Sequence, residues 1–295
     1  MTHSITEALA GNPYPGRGIV VGTTPGGAIA LAYFIMGRSV NSRNRVLAEQ
    51  DGAIFTRPVD LSLVSDPSLI IYAALRTVGD ATVLTNGDQT DTVVDALADA
   101  GPDAGPSAGP DTGPDALADA GPDTLSDGLA PFSDTQNGPN PSLNAGPGAG
   151  PDAGPGAGSG ESRAVALFES ALRTRTFEPD APNFTSRISA LAQPGRYCLS
   201  QLKKRHGTTL RAFWEYEAAP GIGHLIHTYA GDGDPLPAFT GEPVEIAIGD
   251  DQGAWTNECW AALDTDNRIS LMTRFIPVDG EPTTLVVNRF GQSTP

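Results

Sequence analysis

The chain has 295 residues and a formal net charge of −17, with 35 acidic side chains against 18 lysines and arginines. This length is sufficient for one large domain or two small ones. The acidic balance argues against non-specific nucleic-acid binding, which requires a basic face. No apolar run approaches the roughly 20 residues that span a bilayer, and residues 1–15 lack the basic and apolar regions of a secretory signal. We therefore expect neither a nucleic-acid partner nor a membrane partner.

Cysteine and histidine usage argues against a metal centre. The two cysteines, Cys198 and Cys259, form no Cys-x-x-Cys pair and match no zinc spacing. We interpret them as reduced thiols in the core of a cytoplasmic protein. His224 and His227 lie in a strand-like apolar run, where residues three apart face opposite sides. The sequence therefore predicts no bound metal.

The first part of the chain is rich in strand patterns. Two apolar, β-rich runs within residues 18–36 flank the turn Pro25-Gly26-Gly27, and this arrangement predicts a β-hairpin. Similar runs of β-branched and aromatic residues follow it. The remaining predicted elements of this part are strands at residues 53–58, 69–76 and 81–85, a turn at Asn86-Gly87, and a helix at residues 93–97 with Thr90 or Asp91 as its N-cap.

The composition changes abruptly between residues 95 and 162, where Ala, Gly, Pro and Asp dominate. This segment contains ten aspartates, one glutamate and no lysine or arginine, so it carries 11 of the 17 net negative charges. With few large apolar side chains, it cannot offset the entropy that ordering would cost. We predict a disordered acidic insertion at residues 95–162 in a single domain that comprises residues 14–94 and 163–290.

After the insertion, one helix pattern precedes a series of strands. Residues 161–177 place Val165, Phe168 and Leu172 at the spacing of an amphipathic helix. Residues 258–263 fit either a short helix or a strand. Many strands with two or three helices predict an α+β layered fold. Strands are predicted at residues 188–191, 197–202, 209–216, 223–229, 269–275 and 284–289.

Three arginines, Arg38, Arg43 and Arg45, follow the second strand of the hairpin, together with the small polar residues Ser39 and Asn44. In a chain this acidic, a local cluster of planar, forked donors indicates a bound anion, and phosphate fits this donor geometry. A solvated basic turn is the alternative interpretation.

Residues 177–188 combine two carboxylates, an amide, two hydroxyls and an arginine with two prolines. Because proline fixes φ and lacks an N–H donor, this segment cannot be an ordinary helix or a central strand. We expect a stiff loop that holds polar side chains in fixed directions, as binding and catalytic loops do. The alternative is a proline-rich connection whose charges are merely solvated.

Several motifs lie along the folded part. They are Gly37-Arg38-Ser39 with Asn44-Arg45; Tyr72; Thr85-Asn86-Gly87-Asp88-Gln89-Thr90-Asp91; Glu178-Pro179-Asp180-x-Pro182-Asn183-Phe184-Thr185-x-Arg187-Ile188; and Thr228-Tyr229-x-Gly231-Asp232-Gly233-x-Pro235-Leu236-Pro237. Together they resemble the archaeal-type IMP cyclohydrolase family over essentially all of the chain outside the acidic insertion. The resemblance implies a four-layer α-β-β-α sandwich like that of N-terminal-nucleophile hydrolases, without self-processing. The insertion departs from the family pattern and is expected in a surface connection, where added length costs little.

The resemblance implies an intramolecular ring closure in purine biosynthesis. The carboxamide nitrogen of 5-formamidoimidazole-4-carboxamide ribotide attacks its own formyl carbon, and loss of water gives inosine monophosphate without a cofactor or a metal. Glu178 is implied as the carboxylate that moves protons, Tyr72 as a donor to the formyl oxygen or a proton relay, and Arg38 as part of a clamp for phosphate and oxyanion. The implied substrate-binding residues are Ser39, Asn44, Arg45, Asn86, Asp91, Asn183, Thr185 and Arg187.

Simpler alternatives exist for these roles. Glu178 would otherwise form only a loop salt bridge with Arg187, and Tyr72 would be a core aromatic with a satisfied hydroxyl. An amidohydrolase on the same fold would need an N-terminal nucleophile, and Thr2 is badly placed for that role ahead of the first strand. A nucleotide-binding module without catalysis is the third hypothesis. The sequence does not decide between a monomer and a homo-oligomer.

Overall fold

Alternating side chains on antiparallel strands build two sheets in this chain. The computed structural model describes residues 2–64, 71–101 and 162–290, which belong to one compact unit comprising Met1–Ala104 and Glu161–Pro295. The described strands, in chain order, are β1 (Arg17–Thr23), β2 (Ile29–Met36), β3 (Val46–Gln50), β4 (Ala53–Arg57), β5 (Tyr72–Val78), β6 (Ala81–Thr85), β7 (Arg187–Gln193), β8 (Arg196–Arg205), β9 (Thr208–Glu217), β10 (Ile222–His227), β11 (Val244–Ala247), β12 (Arg268–Ile276) and β13 (Thr283–Asn288).

The two sheets differ in whether their strand order follows the order of the chain. The first sheet has the order β11-β10-β1-β2-β12-β13, and the second has the order β3-β4-β5-β6-β7-β8-β9. All neighbouring strands are antiparallel. The strands of the second sheet follow chain order throughout. Strands β6 and β7, which precede and follow the acidic segment in the sequence, are neighbours in this sheet, with Leu84 opposite Ala190. Both sides of that segment therefore belong to one sheet.

Five α-helices accompany the sheets in the described residues, so the fold is mixed α+β with few helices. Ser4 caps the first helix in a capping box with Glu7, and Asp251 caps the last through the Ala254 N–H. The helices are α1 (Ile5–Ala8), α2 (Val40–Arg43), α3 (Gln89–Asp99), α4 (Arg163–Arg173) and α5 (Gln252–Ala261), with a 3₁₀ turn at Leu61–Leu63.

Three apolar clusters define the layers. One lies between the sheets and draws on both, for example on Leu31 of β2 and Ile188 of β7. A second joins the other face of the first sheet to α1 and α5, with Trp255 buried in it. A third joins the other face of the second sheet to α3 and α4 around Phe168. Because strand side chains alternate between faces, each sheet buries both of its faces.

The strand predictions are confirmed across the described residues. The predicted hairpin is β1 with β2, in which Val20 lies opposite Ala32. The strand predicted at residues 69–76 is β5, which begins at Tyr72; Leu69 and Ile70 lie outside the described residues. The segment at residues 258–263, for which helix and strand were both open, is the end of α5.

The predicted start of α3 is wrong by a few residues. The helix begins at Gln89 rather than after Thr90 or Asp91, and Asp88 is its N-cap residue without a side-chain cap hydrogen bond. The Asp88 carboxylate instead contacts Arg175 and Arg187. Although burial opposes its charge, these two guanidiniums lower the pKa of Asp88. A tertiary ion pair therefore takes the place of the expected cap.

The predicted limits of the neighbouring segments also shift. Helix α3 runs to Asp99, so residues 95–99 are helical and not part of an insertion. Helix α4 ends at Arg173, and the Thr174 hydroxyl donates to the Ala171 carbonyl at 2.7 Å. The expected disorder falls on residues 102–161, which lie outside the described residues, so it stays a prediction.

Three further observations concern the described residues alone. None of their helices has the length and apolar character to cross a membrane. No group of three or more His, Cys, Asp or Glu side chains among them is placed to hold a metal ion. Cys198 and Cys259 are buried and free, and burial raises the pKa of the Cys198 thiol to about 12. These thiols are therefore unreactive core residues.

The packing of α4 on the second sheet gives a stability prediction. Phe168 is fully buried, whereas its neighbour Leu167 is partly exposed. Phe168→Ala is expected to lower the free energy of unfolding by about 3–5 kcal/mol, because it leaves a cavity among well-packed side chains. Leu167→Ala, measured by the same urea titration, should cost markedly less. Equal losses would show that α4 does not pack as described.

Candidate active site

A polar cavity of about 570 Å³ opens where the start of β1, the end of β2 and α2 meet the loop at residues 174–186, which we name the Glu178 loop. Helix α2 begins directly after β2 and carries Ser39 and Ser42, whose hydroxyls hydrogen-bond each other at 3.0 Å. The polar side chains lining the cavity include Arg17, Arg38, Arg45, Asp180, Thr185 and Tyr229.

A larger cleft, of about 1020 Å³, lies elsewhere and is a weaker candidate. Its arginines are already paired with carboxylates, Arg76 with Asp91 at 2.9 Å and Arg274 with Glu49 at 2.8 Å. Within the described residues, the cations of this cleft are thus neutralised, whereas the smaller cavity has two largely buried guanidiniums, Arg17 and Arg45, of which only Arg17 lies within 4 Å of a carboxylate.

Arg45 is the clearest of these buried cations. Its side chain lines the cavity, the residue is only 8% exposed, and its buried Nε has no hydrogen-bond partner among the described residues. Burial and the nearby Arg17 lower the pKa of Arg45, but an arginine keeps its proton in proteins. A buried guanidinium with an unsatisfied N–H gains from an anion that supplies an acceptor.

Arg17 connects the cavity to the buried groups behind it. Its guanidinium donates to the Asn86 carbonyl at 3.1 Å and lies 3.9 Å from the Glu178 carboxylate. Burial alone would lower the pKa of Arg17, but the oxygens of Tyr72, Tyr33 and Glu178 around it raise that pKa. Arg17 is therefore a permanent cation at the boundary between cavity and core.

Glu178 is held between two arginines. The residue is 5% exposed, and its Oε1 lies 3.6 Å from Nη1 of Arg187 in addition to its contact with Arg17. Its backbone N–H donates to the Thr185 carbonyl at 2.9 Å. A Cβ on Gly87 would lie 2.7 Å from Gln89 Oε1, 2.9 Å from Arg187 Nη1 and 3.0 Å from Glu178 Oε1, so this cluster packs closely on the glycine. The salt bridge between Glu178 and Arg187, which was the alternative role for Glu178, is therefore present, and the same carboxylate also lies near Arg17.

Tyr72 forms a buried pair of hydroxyls with Tyr33. The two oxygens are 2.8 Å apart, and both rings belong to the core between the sheets. Burial and the neighbouring Tyr72 raise the pKa of Tyr33 well above its usual value. Tyr72 is therefore a core aromatic whose hydroxyl has a partner, and it also lies in the field of Arg17 and Arg45.

The Glu178 loop is tied to the segment after β10 by side-chain hydrogen bonds. The Thr185 hydroxyl contacts both the Asp180 carboxylate and the Tyr229 hydroxyl. The Asn183 side-chain oxygen accepts from the Leu236 N–H at 3.0 Å. These bonds hold the loop against the cavity, as expected for a stiff loop with fixed polar side chains.

Arg38 is the most exposed of the cavity arginines. It forms an ion pair with Asp232, donates to the Gly233 carbonyl at 3.2 Å, and lies over the Tyr14 ring at 4.9 Å. Its charge is thus partly compensated, which distinguishes it from Arg45.

With this geometry in view, similarity to known proteins becomes informative. A family profile described as "IMP cyclohydrolase-like protein" matches residues 14–104 and 159–280, which is more than half of the chain. The chain belongs to the IMP cyclohydrolase-like protein family.

Three curated relatives named IMP cyclohydrolase match a shorter part of the chain. The protein from Methanopyrus kandleri is 33% identical over 82 residues, that from Methanococcus aeolicus 32% and that from Methanothrix thermoacetophila 36% over the same length. Each alignment covers 28% of this chain and 40% of the relative. These matches therefore span less than half the length of the relatives.

The structure of this family member brings most of the predicted site residues together in two groups. Behind the cavity, and in contact with Arg17 or with one another, are Glu178, Asn86 and Arg187, and Tyr72 is close enough to act electrostatically on Arg17. The predicted residues that line the cavity itself are Arg38, Ser39, Arg45, Asn183 and Thr185.

Two predicted binding residues are not brought to the cavity. Asp91 is on the outer side of α3, where it pairs with Arg76. Asn44 exchanges two hydrogen bonds of 2.7 Å with the backbone of Asp60 and so braces the connection after α2. Asn86 is likewise a brace, because its buried side chain bonds the Ser186 carbonyl and the Ile188 N–H.

Sequence reasoning missed Arg17 as a site residue. Its signal was an arginine between Gly16 and Gly18 at the start of a buried strand. A Cβ on Gly16 would lie 2.4 Å from the Tyr229 ring, and one on Gly18 would lie 2.0 Å from the Phe34 ring. Both glycines therefore permit close contacts around this arginine.

A buried histidine supports the segment that carries Tyr229. His227 Nδ1 lies 2.9 Å from the Tyr229 carbonyl, so this nitrogen carries the hydrogen and donates it. The imidazole ring packs on Phe239 with 4.3 Å between ring centroids. Burial lowers the pKa of His227 from 6.5 to about 4.

This buried imidazole predicts a pH dependence of stability. Between pH 6.5 and about 4 the unfolded chain binds a proton at His227 that the folded chain does not. The free energy of unfolding should therefore fall as the pH drops through that window, by roughly 3 kcal/mol from this group. His227→Gln should remove this part of the pH dependence in urea titrations, whereas the exposed control His206→Asn should not. An unchanged slope in His227→Gln would contradict the assignment.

Proposed function

We propose that this chain is an IMP cyclohydrolase, which closes the ring of 5-formamidoimidazole-4-carboxamide ribotide to inosine monophosphate with loss of water. The observation that carries the proposal is the cavity with Arg17 and Arg45 on its wall and the ion-paired Glu178 beside it. Family membership and the printed names of the three relatives support the same activity. We also propose that the two sheets and their outer helices form the four-layer sandwich of N-terminal-nucleophile hydrolases.

The substrate phosphate is assigned to the part of the cavity around Arg45. The buried Nε–H of Arg45 has no acceptor among the described residues, and the hydroxyls of Ser39 and Ser42 line the same cavity. A phosphate dianion accepts several such bonds at once, with a planar guanidinium as the preferred donor. Arg38, at the exposed rim, adds positive charge for capture.

The ring closure needs positioning and electrostatics more than outside reagents. The carboxamide nitrogen forms a bond to the formyl carbon, the formyl oxygen gains negative charge, and the nitrogen must lose a proton before water leaves. Holding both groups of one molecule in contact lowers the entropic part of the barrier. Arg17 would stabilise the oxyanion, with the Tyr72 hydroxyl oriented by Tyr33 behind it. Glu178 would move protons for the nitrogen or for the departing water.

The remaining parts of the proposal concern partners and location. The partner is a purine nucleotide, and the reaction exchanges no electrons and transfers no group, so no cofactor is included. A cytoplasmic location is included because both cysteines are free thiols.

The competing amidohydrolase has less support. Its nucleophile would have been Thr2, but the Thr2 hydroxyl bonds Glu245 beside β11 and is not among the residues that line the cavity. A nucleotide-binding module without turnover has the same cavity and differs only in the chemistry, so kinetics distinguish it.

Glu178→Gln tests the catalytic part of the proposal. We expect kcat to fall by about 100-fold or more, because an amide cannot take up a proton, while binding of inosine monophosphate changes little. Purine formation is followed by ultraviolet absorbance, and binding by calorimetry. Glu169→Gln on the outside of α4 is the control. Weaker binding with unchanged turnover at saturation would remove Glu178 from catalysis, and binding without turnover in the parent chain would favour the binding module.

Arg45→Gln tests the phosphate assignment. Loss of a charge-assisted bond is expected to weaken inosine monophosphate binding by roughly 10-fold to 100-fold. Binding of inosine, which lacks the phosphate, should change little in the same calorimetric series. Arg57→Gln, at an exposed strand end, is the matched control. An equal loss for nucleotide and nucleoside would place the phosphate elsewhere.

A further inference from the structure

A second group of hydrogen-bonding side chains reaches the cavity, and it does not include Glu178. Asp180, Thr185 and Tyr229 all line the cavity and are bonded in series. The Asp180 carboxylate accepts from the backbone N–H of Thr185 at 2.6 Å and also from its hydroxyl. Tyr229 and Thr185 are buried, whereas Asp180 is partly exposed. The series therefore runs from a buried phenol to a carboxylate that water can reach.

The chemistry of the three groups gives the series a direction. An ionised carboxylate only accepts hydrogen bonds, so the Thr185 hydroxyl donates its single hydrogen to Asp180. Thr185 must then accept from Tyr229, whose hydroxyl is the donor in their contact. A proton that reaches the Tyr229 oxygen is consequently passed on along the same path, with Asp180 as the final acceptor.

The proposed reaction needs such an acceptor. The Glu178 carboxylate is engaged with Arg17 at 3.9 Å and Arg187 at 3.6 Å and is almost fully buried. A proton taken up there has no solvent contact through which to leave, and the carboxylate loses both ion pairs when it is neutralised. Asp180 bears neither constraint, because the described hydrogen bonds of its carboxylate are with Thr185 and the residue remains partly exposed.

We propose that Tyr229, Thr185 and Asp180 form a proton relay that removes the proton from the carboxamide nitrogen of the substrate and delivers it to solvent. This inference rests on the proposed cyclohydrolase function. As the nitrogen bonds to the formyl carbon, its proton passes to the Tyr229 oxygen, the phenolic proton passes to Thr185, and the Thr185 proton passes to Asp180. The nitrogen lone pair forms the new C–N bond, the π electrons of the formyl group move to its oxygen, and the electron pair of the broken N–H bond stays on nitrogen. Asp180 then releases the proton to water, and all three groups return to their starting states.

The surroundings of Tyr229 are consistent with this role. Burial raises the pKa of Tyr229 and the charge of Asp180 raises it further, while the charge of Arg17 lowers it. The Tyr14 ring stacks on Tyr229 with 5.9 Å between centroids and fixes the ring plane. Arg17 thus faces the phenol at the moment when it would carry partial negative charge.

Asp180→Asn separates a relay from a merely structural loop contact. The asparagine oxygen still accepts from the Thr185 N–H, so the loop is held, but the amide cannot take up a proton. We expect kcat to fall about 100-fold and the acid limb of its pH profile to disappear. Asp250→Asn, which also loses one carboxylate that accepts a backbone N–H, is the matched control and should retain normal turnover. Normal kcat with an unchanged pH profile in Asp180→Asn would overturn the relay while leaving the cyclohydrolase function intact.

Thr185 provides a second test with its own rescue. Thr185→Val keeps the shape of the side chain but interrupts the series, so we expect a loss of turnover similar to that of Asp180→Asn. Thr185→Ser restores the hydroxyl and should recover most of the activity. If Thr185→Val retains normal turnover, protons do not pass through this residue, and the relay is overturned.

A titration without substrate makes the result independent of turnover. The difference in ultraviolet phenolate absorbance between the parent chain and Tyr229→Phe isolates the ionisation of Tyr229. Because Asp180 raises that pKa, Asp180→Asn should shift it downward. An unshifted titration would mean that the two groups are not coupled and would overturn the relay. A shifted titration in a protein without turnover would instead overturn the proposed reaction, and the relay with it.

Discussion

One buried carboxylate joins the two sheets of this protein at its cavity. Glu178 lies between Arg17, on the first sheet, and Arg187, on the second, with contacts of 3.9 and 3.6 Å. Charges this deeply buried are costly to desolvate and stay favourable only when each has a partner. Removing one partner from such a cluster typically costs about 3–5 kcal/mol, because an uncompensated charge is left behind. The relative position of the sheet ends at the cavity therefore depends on this shared ion pair.

The rest of the site follows from this arrangement. Since Arg187 is also paired with Asp88, and Arg17 otherwise donates only to a neutral carbonyl in the described contacts, positive charge is left over on the cavity side. Arg45, buried and with an unsatisfied Nε, adds to it. A cavity with surplus buried cations favours the binding of an anion. The bound anion would offset part of the desolvation penalty of the arginines and would stabilise the folded chain.

The two carboxylates of the Glu178 loop have different environments, and this difference gives them different roles. Glu178 is enclosed by guanidiniums and cut off from solvent, so it is suited to exchange a proton with the departing water inside the site. Asp180, two residues later in the chain, has a carboxylate that accepts only from Thr185 among its described contacts and that reaches solvent. Pairs of like groups held in unlike surroundings are how enzymes give two carboxyl groups different acid–base roles. The prolines of the loop contribute by limiting its conformations, so that both side chains keep these directions.

The sequence by itself determined most of the strands, the acidic character of the segment after α3, the arginine cluster after β2 and the polar, proline-containing character of the loop around Glu178. These features depend on local periodicity, composition and turn residues, which are properties of short stretches of chain. Only the tertiary structure decided which side chains meet. Arg17 reaches Glu178 because β1 and the Glu178 loop come together across the two sheets. Asp91 does not reach the cavity, because its position on α3 places it beside Arg76. Such contacts depend on sheet order and on the packing of distant segments, and no local pattern in the sequence records them.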